Sequence, residues 1–322
     1  MNLSDFRVVE AASGFCRVEK PHFSWKLRSD ERDTKQIKFE LVILKDGKTI
    51  ARAAGEGESV YVLPEGEALA PRTLYEARLT VEDNHGCRAG ETLIFETDKL
   101  FEPFAAKMIA PTEAPAPVYA LKGIFTAKKP VRAARLYATA LGLYECYFGG
   151  KKAGNTYFAP FWTSYSHTLE YQTYDVTSLV QKGENDFEML IGKGWYAGAL
   201  GFMKQRGIYG DRTAGMAEIR LYYEDGTEDV FGTDESFTAV STYIADSEFY
   251  FGETQDFTKE ETSSPVEVIS FPAKVVGQIN EPVRCTQVLK PISCFHTPKG
   301  EYVLDFGQNF TGFVSLEVEG ER

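Results

Sequence analysis

The chain has 322 residues, 47 Asp and Glu against 35 Lys and Arg, a net charge of −12, and 13% aromatic side chains. Its length allows two or three domains at roughly 100–200 residues each, and 43% hydrophobic with 25% charged residues excludes wholesale disorder. The acidic balance excludes nucleic acid and an anionic membrane surface as partners, because phosphate groups are held by Lys and Arg; a neutral ligand stays open.

The predicted elements are strands throughout. Lys38–Leu44 (KFELVIL) is β-rich, and Asp46-Gly47 turns it back into Thr49–Ala53. Glu76–Glu82 alternates and ends at Asn84-His85-Gly86; Thr92–Thr97 follows. This spacing suggests a small sandwich over residues 1–98, with Trp25 as its buried indole and the Tyr75 hydroxyl tying a corner. Residues 99–117 carry four prolines and several alanines, which break helix and strand alike and predict a linker.

Strand signals resume over residues 118–282. They are Val118–Phe125, Ala133–Ala140, Leu143–Phe148 before Gly149-Gly150, Asn185–Ile191, the hairpin Ala217–Tyr223 with Glu228–Phe231, and Phe237–Thr242. Asp175–Leu179 reads as a short capped turn. No segment carries a long helical period, so a larger β-sandwich is expected. Two of its loops are rich in aromatics and glycine: Asn155–Tyr174 and Gly192–Arg212. From residue 283 the character changes, with strands expected at Tyr302–Gly307 and Gly312–Glu319. A stop at Glu321-Arg322, straight after a strand, predicts a truncated chain.

No apolar run approaches the roughly 20 residues that span a bilayer. The N-terminus MNLSDFRVVE lacks the apolar stretch of a secretion signal, so a cytoplasmic location is expected. Cys16, Cys87, Cys146, Cys285 and Cys294 are odd in number and contain no Cys-x-x-Cys pair. They are expected as free, mostly buried thiols. The four histidines do not cluster with them, which disfavours a zinc site.

The sequence holds no phosphate-cradling loop, nucleophile elbow or metalloprotease motif. Asp246, Glu248, Glu253 and Asp256 could supply the carboxylate pair of a glycosidase, but they read better as a solvated acidic loop. The aromatic loops are more informative. A sugar ring offers apolar faces to indole and phenol rings and a hydroxyl rim to Asn, Asp and Arg. Trp162, Tyr165, Trp195, Tyr196 and Tyr209, with Asn155, Asp211 and Arg212, supply both kinds of group. The competing reading makes these rings core or loop anchors. Asn155 could also ligate calcium through its amide oxygen, although calcium usually gathers several carboxylates.

The segment Ala134–Tyr171 (ARLYATALGLYECYFGGKKAGNTYFAPFWTSYSHTLEY) resembles the N-terminal sandwich of bacterial α-L-rhamnosidases. So do Gly194-Trp195-Tyr196, Tyr209-Gly210-Asp211-Arg212, Gly232-Thr233-Asp234-Glu235-Ser236 and Phe249-Tyr250-Phe251-Gly252-Glu253. Phe23-Ser24-Trp25 and Pro71-Arg72-Thr73-Leu74-Tyr75 resemble the leading fibronectin-III/immunoglobulin-like module, and Asp305-Phe306-Gly307-Gln308-Asn309 the opening of a concanavalin-like domain. The order of these motifs is more specific than any one of them.

The resemblance implies an all-β chain: a fibronectin-III/Ig-like domain (1–98), a linker (99–117), a jelly-roll, galactose-binding-like sandwich (118–282) and the truncated start of a third β-domain (283–322). It implies a parent enzyme that releases terminal α-L-rhamnose with inversion, using two acids in an (α/α)6 barrel. Neither that barrel nor its acidic motif is in this sequence, so no catalytic residue is expected here and the chain alone is expected to be inactive. The implied partners are a rhamnose-containing glycan or glycoside and the parent's own barrel. In some relatives the second sandwich grips rhamnose through calcium. The matching loop here, Lys152–Pro160, has Asn155 and no carboxylate. The alternatives are a purely structural sandwich pair and a free-standing carbohydrate-binding protein.

Overall fold

A computed structural model describes residues 1–317 and 319. Among the described residues its regular elements are strands apart from one 3-10 turn and one helical turn, and it divides into a compact unit, Met1–Pro282, and a smaller one from Val283 onward. The larger unit contains two β-sandwiches.

The first sandwich packs the strands Asn2–Val8 and Phe23–Arg28 over a sheet of Arg88–Thr97, Leu74–Asp83, Gln36–Lys45 and Lys48–Glu56. Alternating apolar residues drive this: Leu41, Ile43, Ala77, Leu79 and Val81 point inward and are almost wholly buried. Asp46 and Gly47 both adopt positive φ, the backbone a tight hairpin needs. Trp25 is 2% exposed, and its indole N–H donates to Gln36 Oε1 at 2.8 Å. The Tyr75 hydroxyl accepts from the Ala70 N–H at 2.8 Å, tying the expected corner.

The second sandwich has two antiparallel faces. One runs Leu143–Phe148, Gly183–Gly192, Tyr119–Ala127, Thr238–Ser241 and Ser263–Val268. The other runs Ala214–Tyr223, Val131–Leu141 and Thr168–Asp175, with Glu228–Gly232 beside the first of these. Lys274–Gly277 adds to Thr168–Asp175 in parallel.

Two expectations are corrected here. Residues 99–117 are not simply a spacer. Ile109–Pro111 forms a strand that pairs with both Ser263–Val268 and Ala214–Tyr223, joining the two faces. Met108, Ile109 and Ala110 are buried, so core packing overrides the punctuation of the surrounding prolines. The aromatic stretch Asn155–Tyr174 also ends in a strand rather than a loop: Tyr171 and Tyr174 are buried strand residues.

Charged groups knit the two sandwiches together. Arg72 binds Glu102 through two nitrogens, at 2.6 and 3.1 Å, and reaches the Tyr222 hydroxyl and Glu228 at 3.2 Å. Arg135 makes a similar fork to Glu96 at 2.8–3.2 Å. Asp98 is buried and accepts the Leu100 N–H at 2.7 Å. Burial raises its carboxyl to about 6, against the opposing pull of that hydrogen bond, Tyr171, Arg17 and Lys99.

The unit beginning at Val283 contains the hairpin Ser293–His296 with Tyr302–Asp305, which matches the expected strand at Tyr302–Gly307. The strand expected at Gly312–Glu319 does not form over the described residues 312–317. Val318 and the terminal Glu321-Arg322 lie outside the described residues. All five cysteines are free, but only Cys16 and Cys146 are buried; Cys87, Cys285 and Cys294 are exposed, contrary to the expectation of mostly buried thiols. Cys87 follows the Asn84-His85-Gly86 turn, where a side chain has little to pack against.

Candidate functional site

The aromatic loops meet at one end of the second sandwich. The strand Gly183–Gly192 runs into a single helical turn, Gly194–Ala197, and then a small hairpin in which Leu200 and Gln205 exchange backbone hydrogen bonds at 2.8 and 3.2 Å. This loop is anchored by Glu248, at the end of the strand Ile244–Glu248. Its side chain is almost wholly buried, and it accepts from Lys193 at 3.0 Å, Arg206 at 3.1 Å and the Ala199 N–H at 3.2 Å. Burial opposes the charge, but the bonds from Arg206 and Lys193 outweigh it and hold the carboxyl below its usual range. Glu248 was expected on a solvated acidic loop. It is instead the buried anchor of the site, because two cations and a backbone donor replace its water.

The rings form one continuous group. Trp162 and Trp195 lie nearly parallel, with centroids 6.1 Å apart at 12°. The Trp162 indole N–H donates to the Tyr209 hydroxyl at 3.0 Å. Tyr165 packs against Tyr196 at 5.3 Å and Tyr209 at 5.1 Å, and its own hydroxyl donates to the Phe161 carbonyl at 3.0 Å. Phe158 and Phe161 both hold positive φ, an uncommon backbone for these residues, in the segment that leads into Trp162. A Cβ at Gly210 would lie 2.1 Å from the Tyr196 hydroxyl oxygen, so a larger residue there would make that phenol move.

Five of the eight expected residues are therefore joined: Trp162, Tyr165, Trp195, Tyr196 and Tyr209. Their roles differ. Tyr165 is buried at 2% exposure and acts as the pedestal, its phenol pushed upward by burial and by Tyr209 and Tyr196. Trp162 (52%) and Tyr209 (39%) present open surface. Asp211 is exposed beside Tyr196, whose phenol is raised by burial and then by the Asp211 charge. Arg212 engages elsewhere, donating to the Pro111 carbonyl at 2.8 Å and Glu267 at 2.5 Å. Asn155 is exposed, and among the described residues no hydrogen bond or ring contact joins it to the group.

The sequence reading did not place Phe249, Phe251, Lys204 or Arg206 at this site. Phe249 packs on Trp195 with centroids 4.5 Å apart, and Phe158 touches both. Lys204 and Arg206 lie over the Phe251 ring at 4.5 and 5.2 Å. The available signal was the apolar run Phe249-Tyr250-Phe251 following an acidic residue, a pattern with little reason to stay at the surface unless it packs on something.

Asp246 and Glu248 share Lys193 as a structural pair rather than flanking an open space. Among the described residues no three His, Cys, Asp or Glu side chains converge on a common point. A calcium ion at the Asn155 loop would lack the carboxylates such an ion demands, so the residues present do not fit it. What remains is an exposed indole backed by a second indole and hydrogen-bonded to a phenol hydroxyl.

Comparison with known proteins places these units. Residues 129–287 match the α-L-rhamnosidase N-terminal domain, and residues 11–100 match the Rha78A-like N-terminal immunoglobulin domain. An α-L-rhamnosidase of Streptomyces avermitilis is 37% identical over 206 residues, 60% of this chain and 20% of that protein. One from an Alteromonas species is 31% identical over 213 residues, 62% of this chain and 23% of that protein. The chain thus spans only 20% to 28% of the length of the curated relatives it matches. The crystal structure of the Aspergillus terreus α-L-rhamnosidase superposes with a TM-score of 0.80 at 26% identity, covering 96% of this chain and 39% of that one. The Streptomyces avermitilis enzyme solved with L-rhamnose shares the fold, with a TM-score of 0.80 at 19% identity over 96% of this chain and 49% of that one. Residues 11–100 and 129–287 are thus similar, in this order, to two N-terminal domains of α-L-rhamnosidases.

Proposed function

We propose that these domains are accessory units of an inverting α-L-rhamnosidase. In this reading they buttress its helical barrel and hold a rhamnose-containing glycan or glycoside on the aromatic loops. The observation that carries the binding role is the Trp162 indole. It is half exposed, backed by Trp195 and fixed by its hydrogen bond to Tyr209. A ring so placed loses little freedom when a sugar face covers it, and loss of freedom is a main cost of binding. Tyr209 and Asp211 supply hydroxyl and carboxylate groups for the sugar rim. The location proposed is the cytoplasm.

Two experiments test the reading. Calorimetric titration with L-rhamnose should give saturable heat that Trp162→Ala abolishes. A chromogenic α-L-rhamnoside incubated with this chain should release nothing. Release by the chain alone would overturn the accessory role.

The scaffold role has its own support in the charged network at Arg72, Lys99 and Arg135, which joins the two sandwiches into one compact unit. A flat rhamnose titration would leave that role as the whole function.

A further inference from the structure

A second candidate site shares the core cluster beneath Tyr165, through Phe104, Met216 and Phe271, but does not depend on the sugar-binding reading. A cleft of about 750 Å³ opens where the first sandwich meets the second. Tyr171, Phe104, Met216, Phe271 and Val276 give it apolar walls, and Arg17 and Lys274 border it. Phe104 meets the Tyr171 ring edge-on with centroids 5.3 Å apart. Pockets for small molecules favour domain junctions, apolar walls and a few polar groups, and usually span about 300–1,000 Å³.

The polar groups at its floor are incompletely used. Tyr171 is 2% exposed, yet its hydroxyl is buried without a hydrogen bond of good geometry, turned toward the Asp98 carboxyl. Buried hydroxyls rarely stay unpartnered. Arg17 is half-buried at the same floor, and among the described residues its guanidinium makes no ion pair within 4 Å. Two acids line the cleft: Glu102 is held by Arg72, and Glu19 is exposed at its edge. Arg17 and Lys274 are the cations of the cleft, and the Arg17 guanidinium, though within the field of the buried Asp98 carboxyl, has no direct ion-pair partner among the described residues.

We propose that this cleft binds an aromatic anion, with the ring against Phe104, Met216 and Val276, the acid group at Arg17, and a polar substituent within reach of the Tyr171 hydroxyl. The Arg17 guanidinium offers a planar fork that matches a carboxylate or sulfonate.

The test uses the whole chain and 8-anilinonaphthalene-1-sulfonate, read by fluorescence and displaced by 4-hydroxybenzoate. One saturable site displaced by the benzoate is expected. Arg17→Met keeps the stem and removes the charge, and should weaken both probes roughly tenfold or more. Val276→Trp should fill the cleft and abolish binding. Phe202→Ser, on the exposed hairpin tip, should leave binding unchanged. Circular dichroism confirms that each variant folds. The proposal is overturned by no saturable site, by affinity unchanged in Arg17→Met and Val276→Trp, or by loss in Phe202→Ser. None of these results depends on whether L-rhamnose binds at Trp162.

Discussion

Lys99 Nζ lies 2.6 Å from Glu218 Oε1, with both side chains wholly removed from solvent. Lys99 leaves the first sandwich and Glu218 stands in the middle of the second, so the pair fastens one to the other. Glu218 also accepts the Ala105 N–H at 2.6 Å and Arg220 at 2.6 Å. Lys99 sits over the Phe104 and Tyr137 rings at 4.9 and 5.1 Å. Burial pulls the ammonium below its ordinary value, opposed by Glu218.

Removing one partner of such a pair strands the other. Lys99→Met should therefore lower stability by about 3–5 kcal/mol, because Glu218 keeps its burial and loses a cation. Urea unfolding checks this. A loss below about 1 kcal/mol would show that Arg220 alone satisfies Glu218.

Asp98, next in sequence to Lys99, is raised to about 6 by burial from an ordinary 3.8. Between those values the folded state holds the proton more tightly than the unfolded chain, so this group's contribution falls as pH rises through the window. Above pH 6 the full cost of about 3 kcal/mol applies. Asp98→Asn keeps an oxygen for the Leu100 N–H. The variant should match the parent near pH 4 and become more stable by pH 7. Urea midpoints of both proteins across pH 4–7 test this, and parallel curves would refute the assignment.

Tyr75→Phe deletes one hydroxyl and leaves the Ala70 N–H unpaired at the corner of the first sandwich. A loss of about 1–2 kcal/mol is expected, with the second sandwich's near-ultraviolet signal intact. An unchanged unfolding midpoint would mean that water replaces the phenol.

Glu248 gathers Lys193, Arg206 and the Ala199 N–H beneath the aromatic loops. Glu248→Gln should release the 198–212 segment without unfolding the sheets. Limited proteolysis should cut there faster by roughly tenfold, since local opening governs cleavage. Equal rates would show that ring packing alone holds the loop.

The fold was readable where a periodicity of two and turn chemistry agree. Lys38–Leu44, Asp46-Gly47 and Leu143–Phe148 are found as expected, because alternate residues face a core and Asp-Gly or Gly-Gly turns at positive φ close the hairpins. Ile109–Pro111 was hidden, since its pairing partners lie more than a hundred residues away and local proline content argues against a strand. Thr168–Asp175 was hidden by its burial on both faces, which erases the alternation. The aromatic composition pointed to two loops whose rings do meet in the structure. It could not separate Tyr165, the buried pedestal, from Trp162, the open face, because burial depends on Tyr196 and Tyr209 arriving from the other loop. The charge on Glu248 suggested solvent, while its two cations sit 42 and 55 residues away.

The most direct test of the account is titration of the whole chain with L-rhamnose, with and without a chelator, beside Trp162→Ala. The account predicts saturable heat that the chelator leaves unchanged and that Trp162→Ala removes. A flat trace for the parent chain, or equal heat from the variant, would contradict it.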